Sequence, residues 1–149
     1  MRKLVPLMIP IALGLPMLAG CSDDTPSASE WAAAQVKICT GLETGRQDAA
    51  KDLPQDAAPT VEQLMAFYAA FTPTFSAAVD EMKAVERPEG LDSEIDEFEA
   101  AMDATVAHFE KAGADRSAAE ADLASDGESD VTKRLEDASK KVGLEECNG

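Results

Sequence analysis

His108 is the only imidazole in this 149-residue chain, and Cys21, Cys39 and Cys147 are its only thiols. One histidine is too few for a His-rich zinc site and leaves most Ser/His and Cys/His catalytic pairings without a base. It stands beside the apolar stripe of a helix and is expected to be a half-exposed helical residue. Asp126, Glu128 and Asp130 begin like an EF-hand loop, in which alternate carboxylates surround calcium. The sixth loop position, where the turn needs glycine, is Val131, and the twelfth, normally glutamate, is Asp137. The segment therefore departs from a calcium loop at two positions that define it. Acidic residues number 29, and none stands out as a pair for acid–base work; Glu97 and Asp103 read as a solvated helical face. No phosphate-cradling glycine loop, nucleophile elbow or His-Glu-x-x-His occurs. The expectation is a chain with no catalytic residue, no metal and no cofactor.

The first residues have a different character. Met1-Arg2-Lys3 is basic, an apolar run continues to Leu18, and small residues precede Cys21, which is the layout of a secretory signal. The apolar stretch 4–18 is shorter than the about 20 residues that span a bilayer. Pro6, Pro10, Gly14 and Pro16 also make it a poor permanent helix. Leu18-Ala19-Gly20-Cys21 resembles the lipobox of bacterial lipoproteins. That resemblance implies cleavage between Gly20 and Cys21, a diacylglyceryl thioether on the Cys21 sulfur, and attachment to the extracytoplasmic face of the cell membrane. Two acyl chains anchor stably where one is marginal. The run from Ser22 to Ser29 has nothing to bury and reads as a tether. The expected organisation is a signal peptide over residues 1–20, anchor and tether over 21–29, and one helical domain over 30–149.

Two of the 13 basic residues fall in the leader, so the mature chain would carry 11 against 29 acidic ones, a net charge of −18. Such a surface lacks the basic footprint of a nucleic-acid binder and is repelled by anionic head groups. Membrane attachment must then come from acyl chains, and any protein partner is sought in the envelope. With Cys21 assigned to lipid, Cys39 and Cys147 remain as an even pair in an oxidising compartment, where a disulfide between them would persist. Closing a loop of about 100 residues is worth about 4.7 kcal/mol in the chain-entropy model. The Gly143-Leu144-x-x-Cys147 ending, with an early Trp-containing helix that bears Cys39, resembles small actinobacterial exported lipoproteins of unknown function. The resemblance supports the bridge and transfers no catalytic residue.

Beyond the tether only helical periodicity is present. A first helix is expected over 30–50, capped by Ser29, with Trp31, Ala34, Ile38 and Leu42 on one face. Thr60 and Gln63 form a capping box for a second, whose stripe of Val61, Leu64, Tyr68, Phe71, Phe75, Val79, Met82 and Val85 stays in phase across Pro73. A third is expected over 93–112, closed by Gly113, with Leu91, Ile95, Phe98, Met102, Val106 and Phe109 buried. Ser117 and Glu120 form another capping box, and one register of small and apolar residues favours a single helix over 117–142 ending at Gly143. A break at residues 126–130 is the competing reading. The fold class that follows is all-α: a single four-helix bundle, up-down-up-down, with one disulfide.

Three functions fit these observations. The first is a lipid-anchored, non-catalytic binding or structural module of the cell envelope, with Trp31 and Phe67 as a candidate contact patch. The second is a carrier of a small apolar ligand among the Phe and Met side chains, which a cavity of several hundred cubic ångströms would favour. The third is an enzyme with an acidic cleft, which needs two converging carboxylates.

Overall fold

The computed structural model of the protein describes residues 25–125 and 129–145. The leader, Gly20, Cys21, Asp126, Glu128 and Cys147 lie outside the described residues. Among those described the chain is all-helical, with five helices: α1 (Ala28–Ala50), α2 (Val61–Ala84), α3 (Asp92–Ala114), α4 (Arg116–Ala124) and α5 (Asp130–Lys141).

Each start has a cap that explains it. α1 begins at a capping box two residues earlier than expected: the Ser27 hydroxyl accepts from the Glu30 amide at 3.3 Å, and the Glu30 carboxylate accepts from the Ser27 amide at 2.9 Å. Ser29 is therefore inside the helix, because only Ser27 has a carboxylate three residues ahead. The Thr60–Gln63 box is formed as the sequence predicts, at 3.2 and 2.9 Å. α2 continues through Pro73 without interruption. Gly113 does not close α3 but lies within it, and a Cβ there would meet the Ala69 backbone nitrogen at 3.0 Å. Its bare backbone lets α3 approach α2.

The single helix expected over 117–142 is two. Asp115, not Ser117, caps α4, its carboxylate accepting from the Ser117 amide at 2.8 Å. Ser129 caps α5 by accepting from the Thr132 amide at 3.2 Å. A second polar cap in mid-segment favours a restart over continuation. α5 ends in a Schellman arrangement at Gly143 (φ 75°), with Gly143 N–H to Lys140 O at 3.2 Å and Leu144 N–H to Ser139 O at 2.8 Å.

α2 and α3 form the central pair; α1 packs on α2, α5 on α3, and α4 on both. Trp31, Val79, Met82, Ile95, Phe98, Met102, Val142 and Leu144 belong to one buried cluster, so the start of α1 and the end of α5 share a core. Between the helices themselves the fourth seam is open: no residue of α1 has its Cα within 8 Å of one in α5.

Candidate functional site

The open seam is a cleft of about 680 Å³. Its floor is aromatic, with Phe71 and Phe75 from α2 and Phe109 from α3, beside Thr105. The ring centroids lie 5.8 Å (Phe71–Phe75), 5.9 Å (Phe71–Phe109) and 5.3 Å (Phe75–Phe109) apart, a continuous hydrocarbon surface. Cys39 and Leu42 of α1 form one wall, and Leu135 of α5 the other. Phe75, Phe109, Leu42 and Leu135 are only half-buried, although they are core-type residues. Four large apolar side chains thus remain partly wet because α1 and α5 do not close over them.

The rim carries charge, but charge already paired. Arg46 donates from Nε and Nη2 to the two Glu43 carboxylate oxygens at 2.8 Å each, and Gln47 donates to Glu43 as well. These hydrogen bonds, Arg46 foremost, hold the Glu43 carboxyl down at about 2. Across the cleft Glu136 accepts from Lys140 at 2.6 Å, which lowers its carboxyl below the usual range. The Thr132 hydroxyl is paired with that of Ser129, and Thr105 donates to Ala101 O.

A second cluster lies behind the aromatic floor. Asp122, 5 % exposed, accepts at one oxygen from the Tyr68 hydroxyl at 2.7 Å and stands 2.9 Å from His108 Nε2. Burial, then the hydrogen bond to the carboxylate, pushes the Tyr68 phenol well above its ordinary value. The three side chains come from α2, α3 and α4, so the cluster holds the short α4 on the central pair. Tyr68 also stacks on Phe109 at 5.1 Å, joining this latch to the cleft floor.

The sequence-derived candidates distribute unevenly. His108 is half-buried on α3, as expected, but it has a buried carboxylate partner that one-dimensional periodicity did not expose. Trp31 is 2 % exposed and packs edge-on against Phe98 at 6.5 Å, so it belongs to the core and not to a contact patch. Phe67 is half-buried, stacked on Phe71 at 5.7 Å, and extends the aromatic layer. It also borders a second recess of about 330 Å³ between α1 and α2, near Gly45 and Leu53. Glu97 is paired with Lys141 and Asp103 with Lys83, both on the surface. Cys39 is disulfide-bonded; Cys147, the partner expected for it, lies outside the described residues, as do Gly20 and Cys21.

Among the described residues no three His, Cys, Asp or Glu side chains are grouped to hold a metal ion, and no helix is long and apolar enough to cross a membrane. No protein-family model, curated protein or solved structure matches the chain.

Proposed function

We propose that the mature chain is a lipid-anchored, extracytoplasmic carrier that holds a small apolar ligand in the cleft between α1 and α5. The single observation that carries this reading is the cleft itself, about 680 Å³ with a floor of three phenyl rings. Ligand sites of small molecules are concave, mostly apolar and in the range of about 300–1,000 Å³. Ordinary bundle packing buries such rings; here the helices on either side stand apart and leave Phe75 and Phe109 half-exposed, with Phe71 buried beside them. In this reading α4 and α5 together take the place of a fourth helix, a Cys39–Cys147 bridge pins the segment after α5 to α1, and a thioether at Cys21 keeps the domain at the membrane. Tethering raises its effective concentration toward membrane-bound donors and acceptors. The chemistry is non-catalytic: the polar side chains around the cleft are bonded to the protein and present no nucleophile–base pair.

Two measurements test it. Labelled palmitate should enter wild-type protein in cells and not a Cys21→Ala variant; an unlabelled wild type refutes the anchor. Native mass spectrometry of protein gently extracted from membranes should show a bound hydrophobic adduct that is lost when Leu135→Trp fills the cleft. An adduct unchanged by that variant refutes the site.

A further inference from the structure

Resting on the carrier reading, we infer that the cleft selects uncharged, ring-bearing hydrophobic molecules and rejects anionic amphiphiles of the fatty-acid type. The argument turns on what the rim can offer a polar head. Arg46 is the one cation among the described lining residues, and Glu43 engages it through two parallel hydrogen bonds of 2.8 Å. A carboxylate or sulfonate entering the cleft would meet a guanidinium whose charge Glu43 already offsets in a bidentate pair, so it gains little Coulomb attraction there. Every other polar lining side chain is likewise committed: Glu136 to Lys140, Thr132 to Ser129, Thr105 to Ala101 O, and Cys39 to a disulfide. An anion would also approach against the field of a chain whose formal charge is −16. A neutral molecule meets none of these costs. It gains apolar burial against Leu42 and Leu135 and stacking on Phe71, Phe75 and Phe109, whose rings already sit at 5.3–5.9 Å from one another.

The test uses two fluorescent probes with the same ring skeleton: neutral N-phenyl-naphthylamine and its sulfonated analogue, anilinonaphthalene sulfonate. The mature chain is prepared as Cys21→Ala, so that neither acyl chain nor detergent competes for the dye. The neutral probe should bind at least about tenfold more tightly than the sulfonate. Glu43→Gln removes the carboxylate charge beside Arg46 and should strengthen sulfonate binding relative to the neutral probe by about three- to fivefold, the worth of a solvent-facing ion pair. Leu135→Trp should abolish binding of the neutral probe; Thr132→Trp, at an exposed wall position, does the same should the first variant fail to fold. Equal affinities for the two probes in the parent protein, or no response of the sulfonate to Glu43→Gln, overturn the charge selection and leave the carrier reading standing. Failure of both probes to bind overturns the carrier reading. Neutral-probe binding untouched by either Trp variant overturns the location.

Discussion

Tyr68→Phe removes one oxygen from the interior and should cost about 2 kcal/mol. Asp122 is 5 % exposed and the Tyr68 hydroxyl lies 2.7 Å from it, so the bond lost is one to a buried carboxylate. Hydrogen bonds to charged groups are worth about 1.5–3 kcal/mol, and the ring stack on Phe109 survives the change. Half of the carboxylate's side-chain donors disappear, leaving His108 alone. For a domain of this size about 2 kcal/mol corresponds to a fall of about 8 °C in Tm. Urea unfolding followed by far-UV circular dichroism gives the free energy, and an unaltered slope would show that the native and unfolded surfaces are unaltered. The decisive comparison is the same substitution in an Asp122→Ala background. There the hydroxyl is already stranded, so Tyr68→Phe should be neutral or stabilising. An equal cost in both backgrounds, or a loss below about 0.5 kcal/mol in the parent, would refute the latch.

The chain has a single tyrosine, so phenolate absorbance reports Tyr68 alone. Its folded value is raised above the ordinary 10.0, so the folded state retains a proton that the unfolded state gives up; this stabilisation is complete below about 10 and is lost as pH rises through the folded value. Phenolate should appear only together with unfolding, and Tyr68→Phe should flatten the alkaline limb of the stability curve. At the acid end the sign reverses. Glu43 is lowered from 4.5 to about 2, so its contribution is present above the upper value and is lost as pH falls through the lower one; the group is solvent-facing, and Glu43→Gln should change acid unfolding only slightly. Gly113→Ala should cost about 1–3 kcal/mol in urea, because its Cβ would press on the Ala69 backbone at 3.0 Å, which no rotamer change relieves. Gly143→Ala meets open space but must hold φ 75°, so a smaller loss of about 1 kcal/mol is expected in the same assay.

The three long helices were readable because their apolar residues recur at three- and four-residue steps, and Thr60–Gln63 announces its capping box directly. α1 is capped by Ser27 and not by Ser29: both resemble caps in sequence, and only the reach of Glu30 decides between them. The division into α4 and α5 was harder. Ala121 and Ala124 continue the small-residue register of the expected single helix, yet both are exposed, while Ala119 and Asp122 are buried in their place. A buried acid reverses the face that hydropathy assigns, and one of 29 carboxylates carries no local mark of burial. Gly113 lies inside α3, although a glycine that ends a helix and one that admits a neighbouring helix look alike in sequence. The cleft's rings all fall on helical stripes; that Phe75 and Phe109 stay half-wet depends on the distance between α1 and α5, which no spacing within either helix encodes.

If Cys21 carries the proposed thioether, the capping box at Ser27 sets how far the helical domain can stray from the membrane. Five residues lie between Cys21 and Ser27, so the two can stand at most ~22 Å apart. Cys39, at the cleft wall, stands eleven residues along α1 from Ala28, a further ~17 Å of helix. Under the proposed carrier reading, a hydrophobic guest leaving the bilayer would cross less than ~40 Å of water before meeting Phe75 and Phe109, a gap shorter than the width of most membranes.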